Sequence, residues 1–229
     1  MKKNIKLVLG ASAAALIAVS LGAAPASAEV PKSVRGNVVL TAHLTELNDS
    51  GASGRAIAVV RGETIRAIGI RARGLTPDAP HAQHIHYGEQ AMNECPTLAL
   101  DENGDGRLNT AEGIPAYGPI VVSLTTSGDT TPASALAVTR FPVSENGSYS
   151  YLRTNIRFTD VAGTGYQGGD GTAADIAEAI RDGEGVVVIH GNDYDGNGTY
   201  NLSDPEGASE LDPTLPAEVT DPVACGVLH

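Results

Sequence analysis

Three of the chain's six histidines crowd one short stretch, His81-Ala-Gln-His84-Ile-His86. On an extended strand alternate side chains share a face, so His84 and His86 would project together. Two imidazoles placed that way can chelate copper or zinc. A third candidate, His190, closes the apolar run 186–189 just before an acidic loop. The competing reading is a set of buried structural histidines that satisfy their ring nitrogens by hydrogen bonds. His43, in the middle of a strand-like run, and His229, the last residue, read as structural or solvated.

A second chemistry uses hard oxygen donors. Asp101, Asn103, Asp105, Asn109 and Glu112 fall at positions 1, 3, 5, 9 and 12 of a twelve-residue calcium loop. Gly106 at position 6 permits the sharp turn, and Arg107 at position 7 would offer its backbone carbonyl. The competing reading is a polar turn without metal. Pro96 and Pro115 lie close by and disfavour flanking helices. The expectation is therefore a calcium loop on a β-scaffold rather than a paired sensor. A weaker match starts at Asp193 and continues through Asp195, Asn197, Gly198 and Asn201 to Asp204 at position 12. Aspartate is shorter than glutamate and reaches a shared centre less well. Calcium binding and a solvated Asp-rich turn both account for this second loop.

These groups need elements to position them. Residues 38–45, 55–61 and 64–73 are short runs rich in Val, Ile and Thr, separated by Gly, Ser, Asn and Asp. Residues 149–158 alternate, with Leu152, Ile156 and Phe158 expected on the buried face and Arg153, Asn155 and Arg157 on the other. Residues 118–125 and 185–190 are more uniformly apolar and fit central strands. Only 172–182 reads as a helix, with Thr172 as cap and Gly183 as stop. The pattern predicts an all-β sandwich or flattened barrel with long loops and one short helix. Residues 29–229 are expected to form a single domain. Its core would be aliphatic, since aromatics are 4% of the chain and Trp is absent.

Composition narrows the function. The chain has 229 residues, with 15 basic against 27 acidic side chains. No nucleic-acid partner is expected, because there is no excess of Lys or Arg to neutralise phosphates. Residues 1–28 combine a basic start, an apolar stretch and Ala26-Ser27-Ala28, which together read as a signal peptide cleaved after Ala28. An uncleaved anchor is the alternative reading. Cleavage removes three lysines and no acid, leaving 12 basic against 27 acidic residues and a charge of −15. The mature protein would then be secreted or held in the cell envelope, with no membrane span. In an oxidising compartment Cys95 and Cys225 are expected to pair, and two unpaired buried thiols are the alternative. Two cysteines cannot supply a four-thiolate zinc site.

With these residues in view, the chain resembles the copper/zinc superoxide dismutase family and the related chordin-type (CHRD) domains. His81-x-x-His84-x-His86 is similar to the family's histidine strand, and Cys95 follows at the family's spacing. Residues 187–190 resemble the strand with the last copper histidine, and Ala224-Cys225-Gly226-Val227 the C-terminal strand with the partner cysteine. Residues 84–88 and 118–124 are similar to the chordin-type pattern. The resemblance implies a Greek-key β-sandwich. It implies copper at His84, His86 and His190 as the catalytic site, His81 as a structural brace, and a Cys95–Cys225 disulfide.

The departures from the family are specific. No histidine occurs between His86 and His190, so the bridging ligand and the remaining zinc histidines are missing and zinc is not expected. Pro222 stands where the family has its active-site arginine. The loop 191–224 has no Lys or Arg but carries Asp193, Asp195, Asp204, Glu206, Glu210, Asp212, Glu218 and Asp221. Such a mouth repels superoxide, an anion. Two functions follow as expectations. One is a secreted copper- and calcium-binding protein with weak superoxide dismutation. The other is a non-enzymatic CHRD-like sandwich, stabilised by calcium and a disulfide, with an envelope or extracellular structural role. Metal ions are the expected partners, with superoxide as substrate if the site is catalytic.

Overall fold

The period-2 runs read from the sequence form strands. The computed structural model describes residues 36–229; the expected leader at 1–28 lies outside the described residues. The strands are β1 (Val38–Glu46), β2 (Ser53–Arg61), β3 (Thr64–Arg73), β4 (Gln83–His86), β5 (Ile120–Ser123), β6 (Ser148–Arg157), β7 (Val186–His190) and β8 (Pro222–Val227). They form one antiparallel sheet in the order β5-β4-β7-β8-β1-β2-β3-β6. β1 meets β8 only through Thr45↔Cys225 and Glu46↔Ala224. The sheet curls at this narrow seam, and two four-stranded halves turn their inner faces onto one core. The core joins Leu40, Ile68, Ile70 and Tyr151 from one half to Ile85, Val187, Ile189 and Ala224 from the other. The all-β architecture expected from the sequence is the one observed.

In the half β1-β2-β3-β6, one face is buried and the other open, as the alternation requires. One expectation for β6 is corrected. Ile156 and Phe158 are buried, but Leu152 is 74% exposed. The β2–β3 register shifts at Val59/Val60, leaving Arg66 as an extra residue in β3, and Asn155 of β6 has φ 57°. A bulge of this kind flips the faces beyond it. Tyr151 therefore points inward on one side of the flip and Ile156 on the other.

The half β5-β4-β7-β8 is buried on both faces. Its outer side packs Val186, Val188 and Cys225 against Leu47 and Tyr117. The Cys95–Cys225 disulfide, with Cα atoms 5.7 Å apart, pins the covering segment to β8. It closes a loop across a sequence separation of 130 residues.

Among the described residues three short α-helices join the strands: α1 (Thr110–Tyr117), α2 (Ala173–Asp182) and α3 (Ala217–Thr220). Thr172 caps α2, and left-handed Gly183 at φ 95° ends it, as expected. α1 was not expected, because Pro115 lies inside it. Its start is secured by a capping box, in which Asn109 accepts from the Glu112 N–H and Glu112 accepts from the Asn109 N–H. Those bonds, within an eight-residue helix, offset the one that Pro115 cannot donate. Among the described residues no helix is long and apolar enough to cross a membrane.

Candidate metal centre

Pleat and register bring three histidines together. His84 and His86 occupy alternate positions of β4 and so face the same way. β7 lies beside β4, with Val188 opposite His84, and its terminal His190 donates its backbone N–H to the Ala82 carbonyl. The ring centroids are 5.8 Å apart for His84–His86, 5.1 Å for His84–His190 and 6.0 Å for His86–His190. One nitrogen from each ring falls within 4.8 Å of the others.

Each ring spends its other nitrogen on a backbone carbonyl. Nε2 of His84 donates to Ala135 O at 3.2 Å, Nδ1 of His86 to Gly118 O at 2.8 Å, and Nδ1 of His190 to Thr220 O at 2.5 Å. A carbonyl only accepts, so these bonds fix the tautomers. His84 Nδ1, His86 Nε2 and His190 Nε2 are left with a lone pair, and all three are buried without a partner. An unsatisfied buried polar atom costs about 1–3 kcal/mol, so three in one spot ask for a shared ligand. Burial, and then the neighbouring rings, hold the site neutral. The pKa of His84 is well below the usual histidine value, that of His86 is lowered to about 3, and burial lowers that of His190 to about 4. Neutral imidazole is the form that binds a metal.

The supporting layer comes from distant segments. His81 lies with Nδ1 3.0 Å from His190 O and Nε2 3.1 Å from Thr76 O, so it braces the backbone of the third histidine. Thr110 Oγ1 also donates to Thr220 O, and Tyr117 OH donates to Thr110 O at 2.7 Å. Asp221, fully buried, pairs with the Arg107 guanidinium and accepts from Tyr194 OH. Its carboxyl is still raised to about 7, because burial outweighs the arginine.

The two Asp-rich loops share one skeleton. Asp101 Oδ2 accepts from Gly106 N at 2.9 Å, and Asp193 Oδ2 accepts from Gly198 N at 2.7 Å. The position-3 side-chain oxygens of Asn103 and Asp195 accept from the N–H of Asp105 and Asn197. Those of Asp105 and Asn197 accept from Arg107 and Thr199. In the first loop Glu112 accepts from Glu102 N at 3.1 Å and Asn109 N at 3.0 Å. The corresponding carboxylate in the second loop belongs to Glu218 of α3, which accepts from Tyr194 N at 2.9 Å and Asn201 N at 3.1 Å.

Glu218 therefore stands where the loop register put Asp204, which instead accepts from the Asn201 side chain at 2.7 Å. Burial raises the Glu218 carboxyl to about 7. Asp193, Asp195 and Glu218 bring carboxylate oxygens within 4.8 Å of one another, an acidic cluster that could hold a metal ion. Among the described residues it and the three-histidine group are the two His/Cys/Asp/Glu sets that converge so closely; Asp101, Asp105 and Glu112 do not. Arg107, expected to offer its backbone carbonyl, has a side chain that ties the first loop to Asp221. Neither Glu218 nor Asp221 was legible as a partner of these loops. Each sits in the acidic segment at a spacing that no loop motif predicts.

No protein-family model and no curated protein matches the chain.

Proposed function

We propose that the protein is a secreted, dismutase-like metal-binding protein that holds copper at His84, His86 and His190. The observation that carries this is the trio of buried, unpartnered ring nitrogens aimed at one point. Three neutral imidazoles without thiolate or carboxylate suit copper, including Cu(I) at low coordination number. The backbone carbonyls of Ala135, Gly118 and Thr220 orient the rings before a metal arrives. Copper would supply a centre that cycles between two oxidation states. The histidine strand, the curled antiparallel sheet and the Cys95–Cys225 bridge support kinship with the superoxide dismutase and chordin-type families. Calcium at loop 101–112 and at Asp193, Asp195 and Glu218 would fix the segments that cover the site.

The second reading, a non-enzymatic CHRD-like sandwich, is favoured by the acidic surround. Superoxide would approach past exposed Glu210 and half-buried Asp212, with Pro222 in the place of a guiding arginine. Metal analysis of the mature protein after copper loading, with a superoxide assay on wild type and His190→Ala, separates the readings. One copper per chain, lost in the variant, supports the metal site. Superoxide consumption that follows the copper supports the enzyme. A protein that takes up no copper overturns the proposal.

A further inference from the structure

The outer face of β1-β2-β3-β6 carries a row of cations. Strand pairing sets His43 opposite Arg55, Arg55 opposite Arg71 and Arg71 opposite Ser150. All four are exposed. Like charges directly opposite each other on a sheet repel. Water solvates the two guanidinium groups without removing that repulsion. The only acid within these four strands is Glu46, at the end of β1, and it accepts from the Gly51 N–H. Among the described residues neither Arg55 nor Arg71 takes part in an ion pair, whereas Arg107, Arg140, Arg153 and Arg181 are tied to their own chain. Arg55 and Arg71 also line two adjoining hollows of about 570 and 640 Å³. In the first hollow Gly69 leaves a gap between two aliphatic side chains. A Cβ there would lie 3.7 Å from Ile57 and 4.0 Å from Leu152. The face thus offers unpaired cations beside exposed aliphatic surface.

The complementary chemistry lies on the opposite side of the same molecule. Segment 191–224, with its eight acids and no Lys or Arg, covers the outer face of the sealed half, where Leu211 lies near His84 and His190. Its stretch Glu210-Leu211-Asp212 sets an aliphatic side chain between two carboxylates. Glu210 and Leu211 are exposed and Asp212 is half-buried. The outer faces of the two halves point away from each other, so one molecule cannot bring these patches together. Two copies can. We propose that the open face docks the Glu210–Asp212 stretch of a second copy, head to tail. The carboxylates meet Arg55 and Arg71, whose planar donors suit two-point bonding, and aliphatic surface covers Ile57 and Leu152. The two patches differ, so the contact is heterologous and each docked copy leaves one patch free for the next. A mature charge of −15 repels copies at long range, so the attraction is local to these patches. The proposal rests on the surface alone and is independent of the copper reading.

Sedimentation velocity of the mature protein tests it. The mean mass of wild type should rise with concentration. Arg55→Glu/Arg71→Glu and Glu210→Arg/Asp212→Arg should each lose self-association, with affinity down by roughly 100-fold or more. Each variant keeps one patch intact, so each should still bind wild type. Mixed together, the two should form a complex of one chain of each that grows no further. That complex also shows that both variants are folded. Wild type that stays monomeric up to about 1 mM overturns the proposal. So does association that survives reversal of the arginines, or variants that bind neither wild type nor each other. Binding of heparin or of phosphatidylglycerol vesicles through Arg55 and Arg71, by a protein that stays monomeric, overturns it in favour of an anionic polymer or a membrane.

Discussion

The two halves of the sheet are made of similar strands in opposite surroundings. The outer face of β1-β2-β3-β6 meets solvent and carries Arg55, Arg71 and Arg73 beside exposed Ile57 and Leu152. The outer face of β5-β4-β7-β8 is sealed by loops, a disulfide and α1, and it carries the three histidines. Polar groups on the open face are satisfied by water and demand nothing of their neighbours. The same kind of group on the sealed face must find a partner or leave an energetic debt. The sealed half is therefore where chemistry is expected, even though its strands are the shorter ones.

The largest test of this contrast is the staple. Cys95→Ser/Cys225→Ser should cost about 2–5 kcal/mol in urea unfolding and lower metal affinity, because it releases the cover. An unchanged midpoint would mean that the cover holds itself. Next come paired truncations of outward-facing aliphatics. Val188→Ala on the sealed face should cost about 2 kcal/mol, and Leu152→Ala on the open face no more than about 0.5 kcal/mol. Equal costs would erase the distinction between the halves.

The pH dependence of the metal-free protein sharpens the contrast from within the sealed half. The histidine pKa values are lower folded than unfolded, so the unfolded chain takes up protons first as pH falls. Their contribution is complete above about 6.5 and is lost as pH falls toward 4 and then 3. Glu218 is raised to about 7, so its contribution has the opposite sign: it is present at low pH and lost as pH rises through 7. His190→Gln should flatten the loss of stability below about pH 6.5, and Glu218→Gln the decline that runs from about pH 4.5 to about 7. The smallest effect concerns the second loop. Calcium should raise the melting temperature of Asp204→Asn as it does wild type, with part of that gain absent in Glu218→Gln. The reverse outcome would return position 12 to Asp204.

Legibility followed the same division. The alternation of β1, β2 and most of β3 is local, and it could be read because water on one side enforces it. Leu152 escaped because a register shift at Arg66, matched at Asn155, depends on how neighbouring strands pair. In the sealed half both faces are apolar, so periodicity says less about orientation; the His-x-His spacing still placed His84 and His86 on one face. α1 escaped because its capping box outweighed the warning from Pro115.

Taken alone, the sequence determined the strand-forming runs, the shared face of His84 and His86, the helix at 172–182 and the two Asp-rich turns. Each follows from contacts between residues close along the chain. The family resemblance had already implied His190 as the third of the trio, which the structure brings together; only the tertiary structure decided that Glu218 closes the second loop and that Asp221 pairs with Arg107. These partners are joined by strand pairing and loop packing across long separations, and no local spacing carries that information. The tertiary structure alone also left three ring nitrogens without partners, because burial is a property of the whole fold.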